Sequence, residues 1–79
     1  MENYLNCSGK SGVVAYALGA GSIIVQFADG ATYLYTNESA GADAIVEMQT
    51  LAKAGLGLST FISRSVGRSY LRKWQEAVG

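Results

Sequence analysis

Four of the six basic side chains of this 79-residue chain fall within positions 64–73. Arg64, Arg68 and Arg72 recur every four residues, and Lys73 follows directly. On an α-helix with 3.6 residues per turn, this spacing places the three guanidinium groups on one face. Guanidinium groups form charge-assisted hydrogen bonds with carboxylates and phosphates. The spacing therefore predicts a cationic strip, defined by these four residues, that contacts an anionic partner.

An apolar set shares this segment and also recurs every four residues: Ile62, Val66, Tyr70 and Trp74. The two sets fall on opposite faces of a helix, which predicts an amphipathic helix over 59–75 with its apolar face on the core. Gly67 lies at its centre and leaves open whether the helix bends or breaks there. An ordinary solvated helix face is the alternative for the cationic strip. Such a face usually mixes signs, whereas this one has no acid before Glu76.

Two tyrosines form the other group that could bind a ligand. Tyr33 and Tyr35 lie two positions apart in a β-rich run, so a strand would direct both side chains to one face. Exposed, the two rings could stack on nucleic-acid bases or anchor a protein partner. Alternatively, they pack beneath helices with their hydroxyl groups at the rim.

Catalytic and metal-binding patterns are incomplete in this chain. There is no histidine, so neither a Ser–His nor a Cys–His pair can form, and metal sites based on histidine are excluded. Gly9-Lys10-Ser11 lacks the earlier glycine of a phosphate-binding loop, and Gly55-Leu56-Gly57 lacks the third glycine of a dinucleotide fingerprint. We expect a protein that is not an enzyme and that has no catalytic residues, no cofactor and no metal.

Length and composition predict one small globular domain over 1–79. Hydrophobic residues make up 49% of the chain and charged residues 15%, and the formal net charge is zero. This zero net charge is the sum of +3 from Arg64 onward and −3 over residues 1–63. The single cysteine, the lack of a signal peptide and the lack of a long apolar run predict a cytoplasmic protein with no membrane contact. The low charge fraction leaves a homodimer contact open.

The order of the predicted elements is β-β-β-α-α. A lead-in over 1–11 precedes three β-rich runs within 12–36, and Asp29-Gly30 between two of them indicates a hairpin. Helical spacing of apolar residues over 39–54 and 59–75 then predicts two helices. A meander with one apolar face needs a cover, so we expect an α+β fold: a three-stranded antiparallel meander with two helices packed on one face.

The span from Ser11 to about Tyr70 resembles the small KTSC domain family. The resemblance is carried by the second half of a strand pair (Val25 to Tyr35), by Ala52-Lys53-Ala54-Gly55 at a helix end, and by Phe61-Ile62-Ser63-Arg64-Ser65-Val66 followed by Tyr70. It implies an α+β module, alone or appended to larger proteins, with suspected nucleic-acid contact and no established enzyme activity.

The leading functional hypothesis is a non-enzymatic interaction module that docks through its basic C-terminal helix on a protein or nucleoprotein with an acidic surface. Its small size is typical of phage or mobile-element proteins that inhibit host defence complexes. The alternative is a small nucleic-acid-binding domain, with Arg64, Arg68, Arg72 and Lys73 on phosphates and Tyr33 or Tyr35 stacked on bases.

Overall fold

A five-stranded antiparallel sheet forms one layer of the computed structural model, which describes residues 2–5 and 12–75. The strands follow chain order across the sheet: β1 (Glu2–Asn3), β2 (Val13–Gly19), β3 (Ser22–Phe27), β4 (Ala31–Thr36) and β5 (Arg72–Gln75). The α+β class is thus confirmed, and the meander predicted over 12–36 is present as β2–β4. The count of three strands is wrong, because β1 and β5 extend the sheet at its two edges.

Alternation along the strands divides the sheet into two faces. Ile23 and Val25 of β3 are fully buried, while Ile24 and Gln26 are only partly buried on the opposite side. The registers Ile23↔Tyr35 and Val25↔Tyr33 place these four residues on one face, since residues directly opposite in antiparallel strands point the same way. We call this side the core face and the other side the second face.

Four helical elements follow the meander: α1 (Asn37–Ala40), α2 (Ala42–Ala54), α3 (Leu58–Phe61) and a π-helical turn (Ile62–Val66) that continues α3. The helix predicted over 39–54 begins earlier than expected and is interrupted at Gly41. Thr36 caps α1, because its hydroxyl accepts a hydrogen bond from Ser39 N while the Ser39 hydroxyl accepts one from Thr36 N. This reciprocal pair satisfies two backbone donors at the helix start.

The helices cover the core face of the sheet. Buried side chains of α2 and of the α3 segment meet buried side chains of β2–β4, and the members from the helices are Ile45, Met48, Ala52, Leu58, Ile62 and Val66. Gln49 adds a polar link, because its Nε2 donates to the carbonyl oxygens of Gly19 and Ser22 at 3.0 and 2.8 Å. The turn between β2 and β3 is thereby tied to α2.

The second predicted helix ends far earlier than residue 75. Gly67 has φ 42° and ψ −109°, a conformation open to glycine but strained for other residues. The chain then turns back to the sheet, where Leu71 N donates to Leu34 O at 2.7 Å and β5 pairs with β4. The predicted helix over 59–75 is therefore wrong beyond Val66: the open question at Gly67 is answered by a break, and residues 72–75 form an edge strand.

The predicted lead-in over 1–11 contains a short strand. Beyond β1, the Tyr4 ring packs edge-on against Tyr16, with ring centroids 6.5 Å apart, and its hydroxyl accepts a hydrogen bond from Leu58 N at 3.3 Å. Cys7 and Gly9-Lys10-Ser11 lie outside the described residues. Within the described part of the chain, no helix is long and apolar enough to cross a membrane.

Candidate functional site

The four residues of the cationic strip do not share a helix face. Arg64 lies in the π-helical turn, Arg68 follows the reversal at Gly67, and Arg72 and Lys73 are successive residues of β5. All four side chains are exposed. The predicted line of guanidinium groups is therefore wrong, because the chain leaves helical geometry at Gly67, before it reaches Arg68.

Arg72 and Lys73 point to opposite sides of the sheet. The register pairs Lys73 with Tyr33 on the core face and Arg72 with Leu34 on the second face. Consistent with this, Lys73 Nζ stands 5.4 Å from the centroid of the Tyr33 ring, a cation–π distance.

A cluster of aromatic rings forms where β4 faces the chain that follows Gly67. The Tyr33 ring lies 5.1 Å from the Tyr70 ring and 5.3 Å from the Phe27 ring, centroid to centroid. Tyr35 lies 6.2 Å from Tyr70 and 6.3 Å from Tyr33. Tyr33 and Tyr70 are half-buried, so both residues are partly accessible to solvent. Tyr35 is only 1% exposed and cannot act as a stacking platform.

Tyr35 instead fixes the geometry of the cluster. Its hydroxyl donates a hydrogen bond of 3.0 Å to the carbonyl oxygen of Gly67. Burial, and secondarily the nearby phenol groups of Tyr33 and Tyr70, raise the pKa of Tyr35 from 10.0 to about 12. The side chain is therefore a neutral donor at physiological pH, and it holds the helix end against β4.

These rings line a cleft of about 410 Å³ between β4 and the 62–73 segment. Its aromatic lining is Phe27, Tyr33, Tyr35 and Tyr70, and its charged lining is Asp29, Arg68 and Lys73. Two of the four predicted cations therefore meet at the predicted tyrosines, whereas Arg64 and Arg72 do not line this cleft. A groove that combines aromatic rings with cations can hold a planar anionic ligand.

The β3–β4 turn closes one side of the cleft. Asp29 Oδ1 accepts a hydrogen bond from Ala31 N at 2.9 Å, and Gln75 Nε2 donates to the Asp29 carbonyl oxygen at 2.7 Å. These two bonds join the turn to its own strand and to β5. Through the second of these bonds, β5, which carries Lys73, is held against the β3–β4 turn.

Trp74 is 37% exposed and lies on the second face, opposite Thr32 of β4. The apolar repeat of the sequence therefore separates at Gly67: Ile62 and Val66 are buried, Tyr70 joins the cleft, and Trp74 faces away from it. Our prediction that all four share one core-facing helix surface is wrong for Tyr70 and Trp74.

Another groove among the described residues is less suited to an anionic ligand. A groove of about 250 Å³ near the β2–β3 turn has Glu38 as its charged lining residue. Among residues 2–5 and 12–75, no three acidic side chains come together as a metal site would need.

Sequence reasoning missed Phe27 and Tyr70 as members of the candidate site. Phe27 is not among the residues that the sequence pattern indicates, and Tyr70 is predicted on the core side of a helix that ends before it. The available signal was Gly67 at the middle of that helix, since a reversal there brings Tyr70 back towards Tyr33 and Tyr35.

Comparison with known proteins adds no relative. No protein-family model matches the chain, and neither a curated protein nor a solved structure is similar enough to count as a match. The resemblance to the KTSC domain thus stays a prediction.

Proposed function

We propose that this chain is a non-enzymatic module that binds single-stranded nucleic acid in the aromatic cleft. The proposal is carried by one observation: Arg68 and Lys73 line the same cleft as Tyr33 and Tyr70. A nucleic-acid strand combines phosphate anions with planar bases, and this groove offers cations for the first and ring faces for the second.

The size and charge of the site favour an unpaired strand over a duplex. Bases in a duplex are stacked inside it, so a cleft of about 410 Å³ reaches a base only when that base is unpaired. Duplex binding also draws on a broad basic surface, whereas this chain has a formal net charge of zero. Two cations beside aromatic rings suit a short stretch of single strand.

Docking on an acidic protein has lost its main structural support. That hypothesis placed four cations on one helix, and the structure distributes them over a π-helical turn, a loop and two sides of β5. Inhibition of a host nucleoprotein complex stays a narrower proposal, in which the cleft binds a single strand that the complex exposes.

Equilibrium binding of a labelled oligothymidylate to the full chain, followed by fluorescence anisotropy from about 50 mM salt upward, tests the proposal. Two phosphate contacts on a single strand predict a log–log salt slope of about −1.4. Arg68→Glu and Lys73→Glu, each made alone, should weaken binding strongly. Lys53→Glu is the matched control, because Lys53 is an exposed cation at the end of α2 that does not line the cleft.

Two results would show that the proposal is wrong. One is a wild-type chain that does not bind the oligonucleotide at about 50 mM salt, where ionic contacts are least screened. The other is a Lys53→Glu variant that loses as much affinity as either cleft variant, since overall charge rather than the cleft would then govern binding. Thermal melting of every variant verifies that each one is folded.

A further inference from the structure

We propose that Trp74 and Arg72 form a second nucleotide subsite on the other side of β5, so that a bound nucleic-acid strand passes around the β5 edge of the sheet. The inference rests on the proposed function and extends it beyond the cleft. Nothing in the cleft itself requires Trp74, which lies on the opposite sheet face. The subsite therefore makes a separate claim about ligand length and path.

The exposure of Trp74 is the first observation. It is the single tryptophan of the chain, and 37% of it is accessible although it lies in a β-strand. Its cross-strand neighbour Thr32 is fully buried, and side chains directly opposite each other on one sheet face are close enough to contact, so Thr32 helps to position the indole. A partly exposed, positioned ring is what base stacking requires.

The position of β5 supplies the path between the two subsites. β5 is the last strand in the order of the sheet, and its side chains alternate between the two faces. Lys73 stands beside Tyr33 on the core face, and its two neighbours Arg72 and Trp74 stand on the second face. A nucleic-acid strand that leaves the cleft past Lys73 therefore reaches Arg72 and Trp74 next.

The positive charge of Arg72 indicates that this subsite binds an anionic ligand. Arg72 is exposed, and it is the one charged side chain that the registers of the described strands place on the second face of β2–β5. A guanidinium beside an indole matches a phosphate next to a base. The same polymer can thus occupy the cleft and this subsite, whereas a single nucleotide is too short to reach both.

Tryptophan fluorescence tests the inference directly, because Trp74 is the sole source of that emission. Saturating the full chain with an oligothymidylate of about eight nucleotides should quench the emission. Trp74→Ala should weaken binding of this oligonucleotide by about 5- to 150-fold, and Trp74→Phe should keep most of the affinity. With this longer oligonucleotide, three phosphate contacts predict a wild-type salt slope of about −2.1, and Arg72→Ala should return it to about −1.4.

The outcomes separate this inference from the proposed function. Unchanged emission at saturation, or wild-type affinity in both Trp74→Ala and Arg72→Ala, overturns the second subsite while binding in the cleft stands. A wild-type chain that binds no oligonucleotide overturns both. If Trp74→Ala does not fold, the quenching of the wild-type protein and the Arg72→Ala salt slope decide the question.

Discussion

The Tyr35 hydroxyl donates a 3.0 Å hydrogen bond to the carbonyl oxygen of Gly67, a residue 32 positions later in the chain. This bond joins a fully buried side chain of β4 to the residue at which the helical segment ends. Arg68 and Tyr70 are the first and third residues after Gly67. The bond therefore fixes the start of the segment that carries these two cleft residues. Cleft geometry and helix termination therefore depend on the same contact.

Tyr35→Phe should lower the free energy of unfolding by about 1 kcal/mol, because the variant keeps the ring and loses only the hydrogen bond. Urea unfolding measures the change. Tyr33→Phe is the matched control, since Tyr33 belongs to the same ring cluster but its hydroxyl makes no hydrogen bond within the described residues. Equal losses in the two variants would contradict a structural role for the Tyr35–Gly67 bond.

Alkaline pH should weaken the fold through Tyr35. The pKa of Tyr35 is raised from 10.0 to about 12 in the folded chain, mainly by burial. Above pH 10 the unfolded chain therefore releases this proton first, so the stability is fully present below pH 10 and is lost as pH rises towards about 12. The loss approaches about 1.4 kcal/mol per pH unit.

Urea unfolding of the wild type and of Tyr35→Phe across that pH range isolates this effect, because the two proteins differ only in the Tyr35 hydroxyl. The wild type should lose stability more steeply than the variant. Parallel curves would mean that Tyr35 is not the group responsible.

Gly67→Ala should destabilise the fold by about 1–3 kcal/mol. A β-carbon at this position would meet no atom within 4 Å, so the cost comes from the positive φ of 42° and not from a clash. D-alanine introduced at position 67 by chemical synthesis is the control, since its mirrored backbone preference includes positive φ. Thermal melting should show a loss for L-alanine and a much smaller one for D-alanine.

Trp74→Ala should cost less stability than Met48→Ala. Met48 is fully buried between α2 and the sheet, and its truncation should cost about 2–5 kcal/mol. Trp74 is 37% exposed on an edge strand, where a cross-strand contact contributes about 1 kcal/mol. If urea unfolding gives equal losses for the two variants, Trp74 is a core residue and the second subsite loses its exposed ring.

The meander could be predicted from sequence because local signals agreed there. β-branched runs flank Asp29-Gly30, and the alternation of Ile23, Ile24 and Val25 matches one buried and one open face. For the second helix the signals disagree: Gly67 marks a point where the helix can bend or break, whereas the spacing of four continues through it and does not show which happens. A single backbone conformation at that glycine overrides the periodicity of the residues that follow.

The candidate site shows the same limit. Tyr33 and Lys73 were identified by type and spacing, and the structure brings them within 5.4 Å of each other, although in a strand pair and not across a helix. Tyr35 was chosen with Tyr33 because alternate strand residues share a face. Sequence spacing specifies the face but not the depth of burial, and helical segments fully cover Tyr35 while leaving part of Tyr33 open.

The pairing of β5 with β4 has a consequence for folding kinetics. β2, β3 and β4 join through short turns, so their contacts are local and close with little loss of chain entropy. Leu34 and Arg72, in contrast, are separated in the chain by all the helical segments, so their pairing is non-local. Because such non-local contacts form slowly, we expect the meander and helices to assemble first and the last strand to dock in a separate, later phase. A partly folded chain in which β5 has not yet paired with β4 would have an ordered core but no closed cleft.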